Sequence, residues 1–323
     1  MFKFVLYRVA QIAISLFIVI TAVYFIFRII PGDPTTAFVD GGFTVEAREM
    51  VIERFGLDRP LHEQYFRYMR NVFQGDFGIS FYYRRPANVV IGARIINTLV
   101  LMIPAYLLAY VVGTLGGAFL SWRRGKALDN IFSAISLGFR SAPVFWTGMI
   151  ALMIFAYGLG WLPHSGMRSP GADYTNLFER FFSIDFLRHL TLPMLVMFLY
   201  TLAIPLLLMR NTMLGTFGED YIYYCRAKGL PEWKIIIKHS MRNALLPVVT
   251  SAALAIGTAV GGQIIIEYVF GWPGLGREIV FATQRSDYPV AQFGLVFLAG
   301  AVMTMNLIAD VLYAYLDPRV RVK

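Results

Sequence analysis

The sequence predicts an all-α membrane protein with six transmembrane helices, and three observations carry that prediction. Of its 323 residues, 57% are hydrophobic and only 15% are charged. A soluble domain sits nearer 45–50% apolar, and the mean hydropathy here is +0.59. Six apolar runs each approach or exceed the ~20 residues that a helix needs to cross a ~30 Å hydrocarbon core. The formal net charge of +9 is shared unequally between the segments that join those runs.

The first run, Val9–Phe27, is too long for a signal-peptide core. It is followed by Arg28-Ile-Ile-Pro-Gly-Asp-Pro, a poor cleavage site, so it reads as a retained span. The others are Ile95–Leu120, Ile131–Tyr157, Leu190–Met209, Leu245–Ile266 and Gln292–Leu316. Several contain Pro or Gly: Pro104, Pro143, Pro193 and Pro205, with Gly113-xxx-Gly117 and Gly257-xxx-Gly261. Small residues at that spacing let helix backbones approach closely. The plain reading is bundle packing; the sharper one is helices that rock during gating.

Six spans put both termini on one side, and Lys/Arg bias says which. With the N-terminus inside, segments 1–8, 121–130, 210–242 and 317–323 hold 14 Lys/Arg against 5 Asp/Glu. The outside segments 28–94, 160–189 and 267–287 hold 14 of each. Every lysine falls inside, and Arg140 and Asp310 remain within spans. The single cysteine, Cys225, excludes an intrachain disulfide. The sparse charge excludes a soluble basic face for nucleic acid.

Two loops carry information. In the outer one, 44–55 reads as a capped helix closed by Gly56. A second helix from Leu61 to Phe73 repeats aromatics at helical spacing, and Gly75-Asp-Phe-Gly is a turn. This cap either packs over the span ends or docks an extracytoplasmic partner. In the inner loop, Glu219 and Asp220 open a short helix that Arg226 and Lys228 close, matching the macrodipole. Gly229 suits a left-handed C′ position, and Pro231 opens a following helix that runs through Arg242 into the fifth span. Tyr221, Tyr224 and Cys225 share a face at i, i+3, i+4. That face either packs on the chain's own bundle or inserts into a partner, because so short a helix is marginal alone.

At this loop the chain resembles a known family. Asp220-Tyr-Ile-x-x-x-Arg-Ala-Lys-Gly-Leu, then His239-x-x-Arg-Asn-Ala-Leu-Leu-Pro-Val-Val-Thr, is similar to the coupling segment of peptide-type ABC importer permeases, the dipeptide, oligopeptide and nickel group. Arg28-x-x-Pro-Gly-Asp-Pro, Gly56-Leu-Asp-x-Pro-Leu and Gly75-Asp-Phe-Gly-x-Ser resemble its outer loop. Ser141-x-Pro-x-Phe-Trp, Phe270-Gly-Trp-Pro-Gly-Leu-Gly-Arg and Asp310-x-Leu-Tyr-x-x-x-Asp-Pro-Arg resemble its later segments, so the likeness covers nearly the whole chain in order. The departure lies where the broader motif has Glu-Ala-Ala; here Tyr223, Tyr224 and Cys225 stand there.

The resemblance implies a type I ABC importer permease fold in a bacterial or archaeal inner membrane. It divides into an N-terminal span (1–28), an extracytoplasmic loop subdomain (29–94) and a five-helix core (95–323) with a coupling loop at 210–245. It also implies the rest of the machine: a second permease, one or two ABC ATPases that hold ATP and Mg, and an extracytoplasmic substrate-binding protein. The residues implied to couple to the ATPase are Glu219, Asp220, Tyr221, Tyr224, Cys225, Arg226, Ala227, Lys228, Gly229 and Leu230.

The chain carries no engine of its own. Gly125-Lys126 is followed by Ala127, with Leu120 where a phosphate-binding loop needs its first glycine. His62-Glu63 lacks the second zinc histidine, and His164, His189 and His239 are scattered, so a membrane enzyme is excluded. A stand-alone channel or secondary transporter would carry more intramembrane charge than Arg140 and Asp310. Such charges are functional candidates: Arg140 just before Pro143, and Asp310 one turn after Asn306, either line the pathway or pack at its edge. Glu267 is expected at the outer mouth. Peptides are the leading cargo; nickel complexes, glutathione and oligosaccharides are the alternatives.

Overall fold

A computed structural model describes residues 2–29, 59–172, 174, 176–261 and 263–316. The predicted 44–55 helix and the motifs at 31–34, 56–58 and 317–319 lie outside the described residues. The regular secondary structure of the described residues is helical, apart from one isolated bridge between Ile79 and Pro86.

The chain opens with α1 (Phe2–Ile29) and, after the undescribed stretch, α2 (Leu61–Phe73). α3 (Ala87–Trp122) begins inside the stretch assigned to the outer loop, where Pro86 serves as N-cap. α4 (Ala127–Ser141) and α5 (Val144–Ala151) follow, then a π-helical turn, Leu152–Gly158. α6 (Leu177–Phe182) leads into α7 (Ile184–Thr216). α8 (Asp220–Ala227), α9 (Glu232–Lys234), a second π turn (Ile235–Ser240) and α10 (Met241–Gly261) form the coupling-loop region and its continuation. α11 (Ile264–Val269), α12 (Leu275–Gln284) and α13 (Tyr288–Leu316) complete the fold.

Among the described residues, four helices are long and apolar enough to cross a bilayer: α1, α3, α7 and α13. The α4–α5 pair makes a fifth candidate. The third run, Ile131–Tyr157, is broken where Pro143 stands: α4 and the segment after it meet at 103°. The cause is local. Proline disfavours the helical region for the residue before it; Ala142 accordingly sits at ψ 138, and Pro143 restarts the helix as N-cap. The fifth run divides too: α10 stops at Gly261, and Ile264–Val269 is a separate helix.

The α3–α7 pair is the spine of the bundle. Its closeness comes from Gly113 and Gly117, as the spacing predicts. A β-carbon on Gly113 would stand 2.7 Å from Pro205 Cγ, and one on Gly117 would meet the α7 backbone at Leu206 and Arg210. α10 packs on the spine and carries α13, with Gly257 against Asn306; α1 lies outermost on α13.

The two ends of the bundle are built differently. At the cap end, α2 packs over α1 through Tyr24, whose ring meets Tyr65 and Tyr68 at 5.4 and 5.1 Å. The Thr21 and Tyr65 hydroxyls bond at 2.9 Å. The turn at Gly75–Gly78 then carries the chain to Ser80, whose hydroxyl donates to Asp287 at 2.5 Å. The Phe81 and Tyr82 amides donate to the same carboxylate. At the other end, Arg210 of α7 grips Asp129 of α4 with two bonds of 2.5 and 2.7 Å. The Gly125 amide adds a third bond to that carboxylate.

Candidate functional site

The coupling loop grows out of the far end of α7. The Thr216 hydroxyl bonds that of Ser240, joining the end of α7 to the second π turn. Beneath them Met209, Met213, Ile236, Ala244 and Val248 form a core with Ala118. α8 starts after Glu219, which holds an extended conformation and makes no side-chain cap. The helix ends as its residues dictate. Gly229 adopts φ +72, its amide donates to Arg226 at 2.9 Å, and the Leu230 amide donates to Cys225 at 3.2 Å. These two bonds are a Schellman closure, which favours glycine because it lacks a β-carbon. Arg226 then reaches across the turn to Glu232 at 2.9 Å, and Pro231 caps the next helix.

One side chain anchors α8. Ile222 is fully buried, as is Ile235 of the π turn, against which α8 packs. The expected face of Tyr221, Tyr224 and Cys225 is divided: Tyr221 and Cys225 are half-buried, while Tyr224 stands 65% exposed. The outward apolar groups are Tyr223 (72%), Tyr224, Trp233 (63%) and Ile237 (60%). Asp220, Arg226, Ala227, Lys228 and Arg242 are exposed around them. The result is a rigidly stopped helix that presents two aromatic rings, flanked by a tryptophan and basic groups.

The pathway candidates separate. Arg140 reaches a cavity of about 330 Å³ bordered by α3, α7 and α10, its guanidinium 4.3 Å from the centre of the Tyr200 ring. Pro143 marks the bend and is exposed. Asn306 and Asp310 line a different hollow, against α1, where Asp310 pairs with Arg8 at 3.0 Å. Glu267 corrects the expectation of a pathway mouth, because it is fully buried. Its carboxylate accepts from the Thr98 hydroxyl at 2.6 Å and the Arg277 amide at 3.0 Å. Burial raises its pKa above the usual carboxylate range, against the pull of those hydrogen bonds. Thr98 also accepts from the Leu275 amide, and the Trp272 indole donates to Asn97 O at 2.8 Å. The Gly-Trp-Pro-Gly stretch is therefore a buried clamp on α3.

This arrangement, a broken-helix bundle with a projecting loop helix and no catalytic cluster among its described polar groups, is matched by a family model. The model described as binding-protein-dependent transport system inner membrane component matches residues 113–322. The chain belongs to that family. The family's N-terminal component matches residues 1–101. The dipeptide transport system permease protein DppB of Escherichia coli is 37% identical over 339 residues, covering 100% of both chains. The oligopeptide transport system permease protein AppB of Bacillus subtilis is 37% identical over 298 residues and 92% of each. The glutathione transport system permease protein GsiC of E. coli is 34% identical over 323 residues, again 100% of both. The chain is thus a non-catalytic permease subunit of a binding-protein-dependent ABC importer, a multi-pass inner-membrane component.

Sequence reasoning missed several groups in this permease. Ile222 carried no special signal, being one apolar residue in a polar helix. Asp129 and Arg210 lie 81 residues apart, and no local pattern pairs them. Tyr106, Tyr110 and Tyr200 lie inside apolar spans without a local signal, and all three border the Arg140 cavity.

Proposed function

We propose that this permease forms half of the translocation pathway of an importer for peptides or closely related small solutes, and that the surface around α8 receives a partner ATPase. The observation that carries the docking role is the exposed Tyr223, Tyr224, Trp233 and Ile237 cluster on and after a helix stopped at Gly229. The residues from Glu219 to Leu230 would transmit the motion. Closure of the ATPases, which hold the ATP and Mg, would draw α8 and rock the bundle through the Met209–Ile236 core. A second permease would complete the pathway, with one or two ATPase subunits below it and an extracytoplasmic binding protein delivering the solute at the cap end.

Six crossings follow if the α4–α5 pair and α10 are added to the four long helices. Both termini would then face the cytoplasm. The lysine distribution favours this, and so does the Arg8–Asp310 pair, which brings the start of α1 beside the last turns of α13. Peptide-like cargo is favoured because the names of the three relatives specify dipeptide, oligopeptide and glutathione transport; none of the three names nickel or an oligosaccharide.

The test is Gly229→Val in the complete transporter. A β-branched residue in the left-handed region costs about 1–2 kcal/mol and should re-aim α8. Binding-protein-stimulated ATP hydrolysis and solute uptake should fall together while the permease still inserts. Unchanged uptake and coupling would sink the docking role.

A further inference from the structure

Arg140 is a charge within a candidate span that no described residue pairs. α4 rises about 1.5 Å per residue, so Arg140 stands roughly 16 Å along the helix from Asp129, and it is exposed on the subunit's own surface. A guanidinium within a membrane-spanning segment is costly unless it is paired. Arg140 makes no hydrogen bond or ion pair with any described residue. Its one contact of note is the Tyr200 ring, and a cation over a ring face at an exposed site gains little.

The cavity beside it explains what would pair it. Tyr106, Tyr110, Tyr200, Ser251 and Gln263 contribute to the lining. The Tyr110 and Ser251 hydroxyls bond each other at 2.8 Å. These are hydroxyls, ring faces and an amide, and no carboxylate lines the space among the described residues. A volume of about 330 Å³ falls at the small end of ligand pockets, which run ~300–1,000 Å³. A planar fork of N–H donors with a spare positive charge matches a carboxylate, which it can hold by two parallel bonds.

We propose that this cavity is a carboxylate station in the translocation pathway, where Arg140 holds the terminal carboxylate of the solute in transit. This rests on the peptide-importer reading above. A phospholipid phosphate offers related anion chemistry, so the experiment must separate the two.

The complete transporter is reconstituted in phosphatidylcholine vesicles, with and without anionic lipid, and supplied with saturating binding protein. The probes are alanyl-alanine and its C-terminal amide. Arg140→Gln should lower the maximal uptake of the free acid about tenfold to hundredfold, the range for losing hydrogen bonds to a charged group. Uptake of the amide should stay at its wild-type level. Arg140→Lys, which keeps the charge without the fork, should recover part of the loss. Subunit co-purification and stimulated ATP hydrolysis should hold in both variants, which a packing role against Tyr200 would not allow. Equal losses for acid and amide, or no loss, would overturn the station. An effect that follows the anionic lipid rather than the probe would assign the guanidinium to lipid phosphate and also overturn it. If the wild type imports neither probe nor any other peptide, the cargo reading fails and the station falls with it. If it imports alanyl-alanine and Arg140→Gln does not discriminate, only the station fails.

Discussion

The cap end and the coupling-loop end of this permease are held by different means. The cap end braces itself. Asp287 accepts from Ser80, Phe81 and Tyr82, Glu267 is fully buried among its donors, and Arg94 pairs with Glu278 at 2.8 Å. α8 instead rests on one buried residue, has no side-chain cap, and leaves large apolar groups in water. A helix of eight residues is too short to be stable by itself. The contrast teaches that polar groups consumed within the chain brace its architecture, whereas the apolar groups around a rigid stop are left without a partner among the described residues, the surface proposed above for the ATPase.

The comparison can be broken most forcefully at Asp287. Asp287→Ala strips the acceptor from one hydroxyl and two amides, each costing about 1–3 kcal/mol when left unsatisfied. A loss of about 3 kcal/mol or more is expected, read as a lowered unfolding midpoint in detergent. A loss below about 1 kcal/mol would make the brace redundant.

Ile222→Ala comes next. Truncation of a buried isoleucine costs about 2–5 kcal/mol, but the cost here should stay local. Amide exchange should accelerate across 220–227 and remain slow at Ser80–Tyr82. Equal acceleration at both ends would erase the distinction.

The pH dependence is smaller and belongs to the cap end. Burial raises the Asp287 carboxyl pKa, while hydrogen bonds from Ser80, Phe81 and Tyr82 pull it down. A folded value above the unfolded ~3.9 means that the folded state holds the proton more readily. That contribution to stability is complete below the unfolded pKa and is lost as pH rises through the folded one. Unfolding midpoints should therefore fall with rising pH across that window. Asp287→Asn should remove part of the slope, and Glu267→Gln should remove a further part, since its shift has the same direction.

The smallest stability effect is expected at Tyr223→Ala and Tyr224→Ala. Exposed substitutions stay within about 0.5 kcal/mol, so the unfolding midpoint should not move. Retention of the ATPase during purification should drop at least about tenfold, as for truncated aromatic anchors at an interface. Retained ATPase with a lowered midpoint would reverse the roles assigned to the two ends.

Much of this was legible in the residues because the physics is local. Long apolar runs marked helices, and the Gly113–Gly117 spacing marked the close approach of α3 and α7. Gly229 and Pro231 set the end of α8 and the start of α9 through backbone preferences that need no distant partner. Pro143 signalled a break, but not that the helices would part at 103°; that angle depends on what each half packs against. Tertiary structure alone decided the long-range pairs. Ser80 meets Asp287 across 207 residues, Arg210 meets Asp129 across 81, and Glu267 is buried against α3 rather than open at a mouth. It also decided that Arg140 faces a tyrosine-lined cavity without a counter-charge among the described residues. Burial and pairing belong to the space between helices, which no single segment of the chain specifies.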